Sequence, residues 1–222
     1  SGVHVVDTMG NVLDTWDIAD GLQSSEVTGL DVEGDMTVVI HPQNGASVFN
    51  KSSPGSVVSL NEGNSELDSD SPTGVAIHNG VAYIGTADDG LNRYIIANDT
   101  FLGSWVSTGI NDVDFAPVAI IGTNPQILHM GLPGYGVARK DLSTGEILAP
   151  LTVIPNRGNA GPTEVLPSNQ VYALESDSGN SIMLIGTSNG AIRWNGNTAT
   201  DLPKGSSWNL QPSQFFDFAI ES

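Results

Sequence analysis

The sequence predicts an all-β chain: a β-propeller of four-stranded antiparallel blades, with about four complete blades and a partial blade at each end. Three observations carry that expectation. The chain holds 26 glycines and 12 prolines in 222 residues, and no long segment has helical apolar spacing, which favours short strands joined by tight turns. Between the turns, short Val/Ile-rich runs recur. Glycines at 2, 45, 90, 136 and 190 each precede such a run at intervals of 43, 45, 46 and 54 residues, close to the ~40–50 residues of one blade.

The best-formed copy is Leu166–Gly196. Val171–Leu174 reads as a first strand, Glu175–Asn180 as a polar turn and Ile182–Ile185 as a second strand. Gly186-Thr187 closes that strand, Ser188-Asn189-Gly190 turns, and Ala191–Trp194 forms the third strand. Asn195-Gly196 is expected to make a type I′ hairpin turn, since both residues tolerate positive φ. The glycine before the third strand permits the turn, and the threonine hydroxyl is placed to satisfy backbone groups of the loop.

Sliding this pattern along the chain gives the other copies in order. Residues 1–16 supply a partial blade: Val3–Asp7 as a third strand and Val12–Trp16 as a fourth. The blade over 21–60 contains Val27–Val32, Met36–His41, Asn44–Phe49 and Ser56–Leu60. The blade over 72–105 repeats the anchor almost position by position, with Gly74–Ile77, Val81–Thr86, Asp89–Tyr94 and Thr100–Trp105. A more degraded blade over 113–148 contains Pro117–Ile121, Gln126–Met130, Gly136–Lys140 and Glu146–Leu148, with Gly131-Leu132 in place of Gly-Thr. Val153–Thr163 reads as a loop-like insertion, which lengthens the last interval. The anchor blade then spans 163–202, and Phe215–Ile220 is a lone first strand in a partial blade at 213–222.

Apolar runs such as VAYIG and IMLIG in second strands fit sheets packed on both faces, and the more polar outer strands fit an exposed rim. Strands in this order leave a blade without its second strand if the two ends are joined. That implies one domain, 1–222, that is a segment of a larger propeller. The rival arrangements are a five-bladed ring closed by a three-stranded blade, or pairing of open blade edges with another copy.

The Leu-Pro-x-Asn lead at 166–169, the Val strand, the Asp-x-x-Gly-like turn and Ile185-Gly-Thr-x-x-Gly190 together resemble the two-component regulator propeller repeat. Met183-Leu184 stands where that repeat usually has Trp. The resemblance is good over 74–105 and 163–202 and looser over 21–60 and 110–148. It implies periplasmic sensor or ligand-recognition blades, although no signalling module accompanies them in this sequence.

Lys and Arg total 7 against 25 Asp and Glu, a formal charge of −18, with a pI near 4.1 and only 14% charged residues. Bases are scarce rather than acids abundant. Such a surface repels nucleic acid and anionic lipid, which need Lys/Arg clusters. It suits an extracellular, periplasmic or cell-surface setting, and no apolar stretch of membrane-spanning length is present, so membrane insertion is not expected. Cysteine is absent, which removes disulfides and thiolate metal sites. Asn50-Lys-Ser52 and Asn98-Asp-Thr100 are glycosylation sequons.

Candidate sites are sparse. Of His4, His41, His78 and His129, the pair His41 and His129 fall near the ends of second strands and are candidate ligand contacts; no HxH or HExxH pattern accompanies them. Asp68, Asp70, Asp88 and Asp89 are candidate Ca²⁺ ligands, since hard cations take carboxylate and carbonyl oxygens, and Asp112 and Asp114 are open to the same reading. Solvated turn aspartates are the competing account of all six. Tyr135 and Arg139, in and just after the irregular loop 132–136, are candidate ligand contacts on a surface loop. Trp16, Trp105, Trp194 and Trp208 offer stacking faces for sugars, but packing between blades explains most of them more simply. No GxSxG elbow is present, and Gly131–Gly136 is not a phosphate cradle because no helix follows it.

The reading that follows is a non-catalytic recognition or interaction module taking a protein or glycan ligand. The alternatives are a propeller-type carbohydrate-active enzyme (glycoside hydrolase or polysaccharide lyase), which requires two close carboxylates, and a structural subunit of a surface assembly. Catalytic residues and a cofactor are not assigned, apart from the Ca²⁺ candidates.

Overall fold

The computed structural model describes residues 2–53, 55–64, 67–87, 90–104, 116–121, 126–132, 134–153, 164–177 and 182–201. Strands dominate them, and the only helical turns among them are two short 3-10 turns, Ile18–Asp20 and Ile96–Asn98. The chain divides into two compact units, Ser1–Ser107 and Thr108–Ser222.

The first unit opens with a two-stranded sheet, β1 (Val3–Val6) and β2 (Val12–Trp16). Two four-stranded antiparallel sheets follow, each in up-and-down order. One comprises β3 (Gly29–Glu33), β4 (Met36–Ile40), β5 (Ala46–Asn50) and β6 (Val57–Leu60). The other comprises β7 (Pro72–His78), β8 (Val81–Thr86), β9 (Leu91–Ile95) and β10 (Thr100–Phe101). These are the expected partial blade and first two full blades.

In the second unit β11 (Ala116–Ile121), β12 (Ile127–Leu132), β13 (Gly136–Asp141) and β14 (Ile147–Val153) form one blade. β16 (Val171–Asp177), β17 (Ile182–Thr187), β18 (Gly190–Trp194) and β19 (Ala199–Asp201) form the next. Between them lies a strand the repeat did not announce. β15 (Glu164–Leu166) runs parallel to β14, pairing Thr152 with Glu164, and makes the sheet five-stranded. The outer strand also runs through Val153 rather than stopping at Leu148, and the rest of the expected insertion, 154–163, lies outside the described residues. The expected strand at Phe215–Ile220 lies outside them as well.

Second and third strands are sandwiched. β4 is buried from Thr37 to Ile40 and β5 from Ala46 to Phe49, while β3 alternates between exposed and half-buried residues. Alternate side chains of one sheet feed two separate cores. Val39 and Phe49 join Val3, Trp16 and Leu22, with the Trp16 and Phe49 rings stacked at 4.3 Å. Val38, Ile40, Ala46, Val48 and Leu60 join Ile77, Ala82, Ile84 and Tyr94 of the following sheet. In the second unit, Val137, Leu151 and Leu166 pack against Val171, Leu174, Met183, Ile185, Ile192 and Trp194. Burying both faces is what continuous Val/Ile runs require.

The repeat glycines hold equivalent places. Gly2, Gly45, Gly90, Gly136 and Gly190 all have positive φ, between 69° and 129°. At Gly2, Gly45 and Gly136 a Cβ would run into the backbone carbonyl of the fourth strand, at Trp16, Leu60 and Leu151 respectively. Only glycine fits there. The Gly-Thr threonines work as expected: Thr86 Oγ1 donates to the Gly90 carbonyl (3.0 Å) and Thr187 Oγ1 to the Gly190 carbonyl (2.8 Å).

A second repeated device joins sheet to sheet within each unit. The Gly45 amide donates to the Asp70 carbonyl (3.0 Å), and the Gly136 amide to the Asn169 carbonyl (3.1 Å). Beside these, Ala87 N donates to Ser71 O (2.9 Å) and Ser188 N to Gln170 O (3.0 Å).

The type I′ turn expected at Asn195-Gly196 is corrected. Asn195 does not take positive φ; its Oδ1 accepts from the Asn197 and Thr198 amides in a four-residue loop that joins Trp194 to its partner Ala199. The side chain captures local amides, which is the other habit of Asn in turns. The two-residue hairpin with both φ positive is Asn79-Gly80 (50° and 70°), between the paired His78 and Val81.

Candidate functional site

Among the sequence candidates that the structure describes, Tyr135 is exposed at 64% of its full surface. Its loop is held from both sides in chain order: Gly134 N and Gly136 N both donate to the Asn169 carbonyl, at 3.0 and 3.1 Å, and Tyr135 N donates to Leu132 O. Gly134 and Gly136 take φ of 85° and 96° to allow this. The neighbouring turns of the second unit present polar side chains. Ser168 and Ser188 share a hydroxyl hydrogen bond (2.8 Å), and the exposed Asn189 reaches the Pro167 carbonyl (3.4 Å). Gln170, exposed, has its amide nitrogen near Gly134. The loop that carries the exposed phenol is tied by backbone bonds to the segment that carries Gln170, and such ties reduce the cost of ordering a loop on binding. The sequence reading missed Ser168, Asn169, Gln170 and Asn189. The signal for Ser168 and Asn169 was the Leu-Pro-x-Asn lead, whose Asn169 stands where Asp70 does in the first unit; Asn189 lies in the Ser188-Asn189-Gly190 turn.

Arg139 is not part of that surface. It lies four residues along the strand from Tyr135, roughly 13 Å at the usual rise per residue, and its Nε and Nη2 donate to the Ala149 carbonyl at 2.8 and 2.6 Å. Arg93 does the same work in the first unit, reaching Gly103 O (3.2 Å) and Leu102 O (2.8 Å). Both stand three residues after the repeat glycine, as does Arg193, so three of the chain's four arginines share one repeat position. For Arg93 and Arg139 the role is a brace from third to fourth strand. Burial lowers the pKa of each guanidinium without discharging it.

The histidine candidates are structural, and their expected equivalence is corrected. His41 follows β4 and occupies the position of Thr86 and Thr187, its amide donating to Gly45 O (2.9 Å) as Thr86 N does to Gly90 O. It is fully buried; Nδ1 donates to Glu26 O (2.8 Å) and Nε2 meets Ser47 Oγ (2.8 Å). His129 lies in mid-strand instead, opposite Arg139 in the register. It too is fully buried, with Nδ1 donating to Ile127 O at 3.0 Å and Nε2 without a hydrogen-bond partner among the described residues. Burial first, and the Arg139 charge second, push its pKa down to about 3. Neither ring is exposed to solvent.

Of the Ca²⁺ candidates, Asp88 and Asp89 lie outside the described residues, as do Asp112 and Asp114. Asp68 is exposed. Asp70 and Glu62 cap one another: Glu62 N donates to Asp70 Oδ1 (2.8 Å) and Asp70 N to Glu62 Oε1 (2.9 Å). That reciprocal bond ties the loop after β6 to the start of β7. Among the described residues no three acidic or histidine side chains converge as a metal site. Trp16 and Trp194, both buried, pack in the cores rather than face a sugar.

Comparison with solved structures falls on chains of the same architecture. The extracellular domain of BT4673, a proposed one-component system of B. thetaiotaomicron, is 21% identical, with a TM-score of 0.61 over 89% of this chain and 25% of that one. PorZ, a surface component of the type-IX secretion system of Porphyromonas gingivalis, is 12% identical with a TM-score of 0.59, over 90% of this chain and 25% of its own. The computationally designed Ika8 protein is 17% identical with a TM-score of 0.59, over 96% of this chain and 57% of its own.

The fold class is the β-propeller.

At these identities the likeness concerns the fold. The partial resemblance to the two-component regulator propeller repeat stands with it, since BT4673 and BT3049, a proposed hybrid two-component system of the same organism, contribute extracellular domains of this architecture. The chain spans about a quarter of the length of the natural domains it matches and 57% of Ika8. No protein-family model and no curated protein matches the sequence.

Proposed function

We propose that the chain is a non-catalytic recognition module acting outside the cytoplasm, with the Tyr135 loop and its neighbours Gln170 and Asn189 as its ligand surface. The observation that carries this reading is the Tyr135 ring, 64% exposed on a loop fixed by two bonds to one carbonyl. Binding residues are disproportionately carried on loops held by a rigid scaffold, which is the setting of this ring. Support for the compartment comes from the surface and extracellular settings named for BT4673, BT3049 and PorZ, and from the shortage of bases. No helix among the described residues is long and apolar enough to cross a membrane.

The ligand class that fits is a neutral oligosaccharide: its C–H face stacks on the phenol and its hydroxyls meet the amides of Gln170 and Asn189. Acidic glycans are disfavoured by the −18 formal charge. A glycan array probed with the chain, followed by calorimetric titration of any hit, tests this. Tyr135→Ala is expected to weaken binding at least ten-fold with thermal stability unchanged. Unaltered affinity in that variant, or turnover of the hit into smaller sugars, rejects the reading.

A further inference from the structure

We infer that Asn195-Gly196, in the loop between β18 and β19, is a self-modifying site: in the folded chain the Gly196 nitrogen attacks the Asn195 side-chain amide, and the asparagine becomes aspartate or isoaspartate. This goes beyond the Tyr135 surface and stands independently of it.

The sequence holds four Asn-Gly pairs, at 44–45, 79–80, 189–190 and 195–196. One reaction is open to all of them, because glycine has no Cβ to shield its nitrogen. That nitrogen gives its proton to a base in solvent and bonds to Cγ of the preceding asparagine. The Cγ–Nδ2 bond then breaks, and Nδ2 takes a proton from water and leaves as ammonia. Water opens the resulting succinimide at either carbonyl, giving aspartate or isoaspartate. No reagent other than water is consumed. Sequence treats the four pairs alike, so the fold must separate them.

The attacking amide must first be free to lose its proton, and an amide held by an acceptor does so only when that bond opens. Gly45 N is held by the Asp70 carbonyl (3.0 Å). Gly80 N is held by Glu33 Oε2 (2.8 Å), a carboxylate whose charge makes loss of the proton harder still. Gly190 is paired with Thr187 in the β17–β18 ladder, and Asn189 is tied through the departing nitrogen, Nδ2, to the Pro167 carbonyl (3.4 Å). Gly196 differs. It lies beyond the pairing of Trp194 with Ala199, and its amide meets no acceptor among the described residues. Asn195 and Gly196 are both exposed, so solvent base and water reach them.

The attacked carbonyl must also be helped, and the same loop supplies the help. Asn195 Oδ1 accepts from Thr198 N (2.8 Å), Asn197 N (3.1 Å) and Thr198 Oγ1 (3.1 Å). As Gly196 N closes on Cγ, negative charge gathers on Oδ1, where these donors already point. Fixed donors of this kind lower the barrier to attack on an acyl carbon. The two products then diverge. An aspartate keeps an oxygen in the same cradle, now charged, and its bonds to the two amides strengthen. An isoaspartate routes the main chain through the side-chain carbon, lengthens it and breaks the Trp194–Ala199 register.

The test uses the full chain, incubated at about pH 8.5 and digested with trypsin. Cleavage after Lys and Arg places the four pairs on separate fragments, 1–51, 52–93, 158–193 and 194–204. The mass gain of deamidation, assigned to its residue by fragment spectra, reports conversion. In the folded chain Asn195 is expected to convert fastest of the four, at least ten-fold faster than Asn44 and Asn79. In urea the four rates converge. Thr198→Val, which removes one donor from Oδ1, slows Asn195 at least two-fold. Four results overturn the inference: another of the four asparagines converting as fast as Asn195 in the folded chain, the folded order of rates persisting in urea, an unchanged rate in Thr198→Val, or slower conversion of Asn195 in the folded chain than in the free peptide Arg-Trp-Asn-Gly-Asn-Thr-Ala.

Discussion

Single residues decide more here than their exposure suggests. Gly136 and Gly190 hold the same repeat place, yet a Cβ at Gly136 meets the Leu151 carbonyl while at Gly190 nothing lies within 4 Å. Gly136→Ala must move backbone as well as adopt a positive φ, and is expected to cost about 3 kcal/mol or more. Gly190→Ala meets only the conformational penalty, about 1–2 kcal/mol. Urea denaturation of the two variants checks the order; equal losses would show that the carbonyl approach is not what demands glycine. His129 gives a pH prediction. Its folded pKa, about 3, lies below the ordinary histidine value of 6.5, so the unfolded chain takes up a proton that the native state refuses. Stability from this residue is intact above pH 6.5 and falls by up to about 1.4 kcal/mol per pH unit between about 6.5 and 3. Burial lowers the His41 pKa too, with the same sign. Replacing His129 by Leu is expected to flatten the decline between pH 6.5 and 4 by about one proton, measured as urea midpoint against pH.

At the scale of elements, first strands stand at one edge of their sheets, and acidic side chains of β3 satisfy amides of β7. Asp31 Oδ2 accepts from Ile77 N (2.6 Å), and the two Glu33 oxygens accept from Asn79 N and Gly80 N (2.8 Å each). Carboxylates of β3 thereby cap the amides of β7 and clamp its hairpin turn. Burial raises the Asp31 pKa while the Ile77 amide opposes the rise, so its charge is tolerated because it is hydrogen-bonded. Asp31→Ala leaves the Ile77 amide without its acceptor and is expected to cost about 1–3 kcal/mol. Asp31→Asn keeps an oxygen in place and costs less. Chemical denaturation of both variants is the measure, and an Asn variant as weak as the Ala variant would contradict the capping role. These elements were largely legible beforehand, because strand runs, glycine spacing and the Gly-Thr closure are all local signals. β15 was not. Three residues, Glu164–Leu166, carry no periodicity, and a parallel partner is fixed by tertiary placement rather than by a turn. The Asn195-Gly196 turn failed for a related reason: an Asn-Gly pair states which φ values are allowed, while the side chain's own hydrogen bonds decide which are used.

For the whole chain, the blade architecture was more legible in the sequence than the candidate site. The repeat is written in residues whose physical demands are local, so five glycine positions sufficed to find the blades. The proposed ligand surface lies on exposed loops, where Gln170 and Asn189 look like any polar turn residue; the backbone bonds from Gly134 and Gly136 to Asn169 have no counterpart in local sequence pattern. His41 misled because a histidine in a threonine's place looks like chemistry in one dimension, although it is a buried tie to Glu26 and Ser47. The charge balance was read directly, and a net −18 weighs against an acidic ligand at the Tyr135 loop.

The arginine braces have one more consequence. With Arg93 turned onto carbonyls just after β10 and Arg139 onto one of β14, two of only seven cationic side chains are engaged away from the carboxylates. Mobile cations from the medium must then screen the carboxylates. A positively charged visitor would displace those ions, and their liberation into bulk water would favour the encounter through entropy.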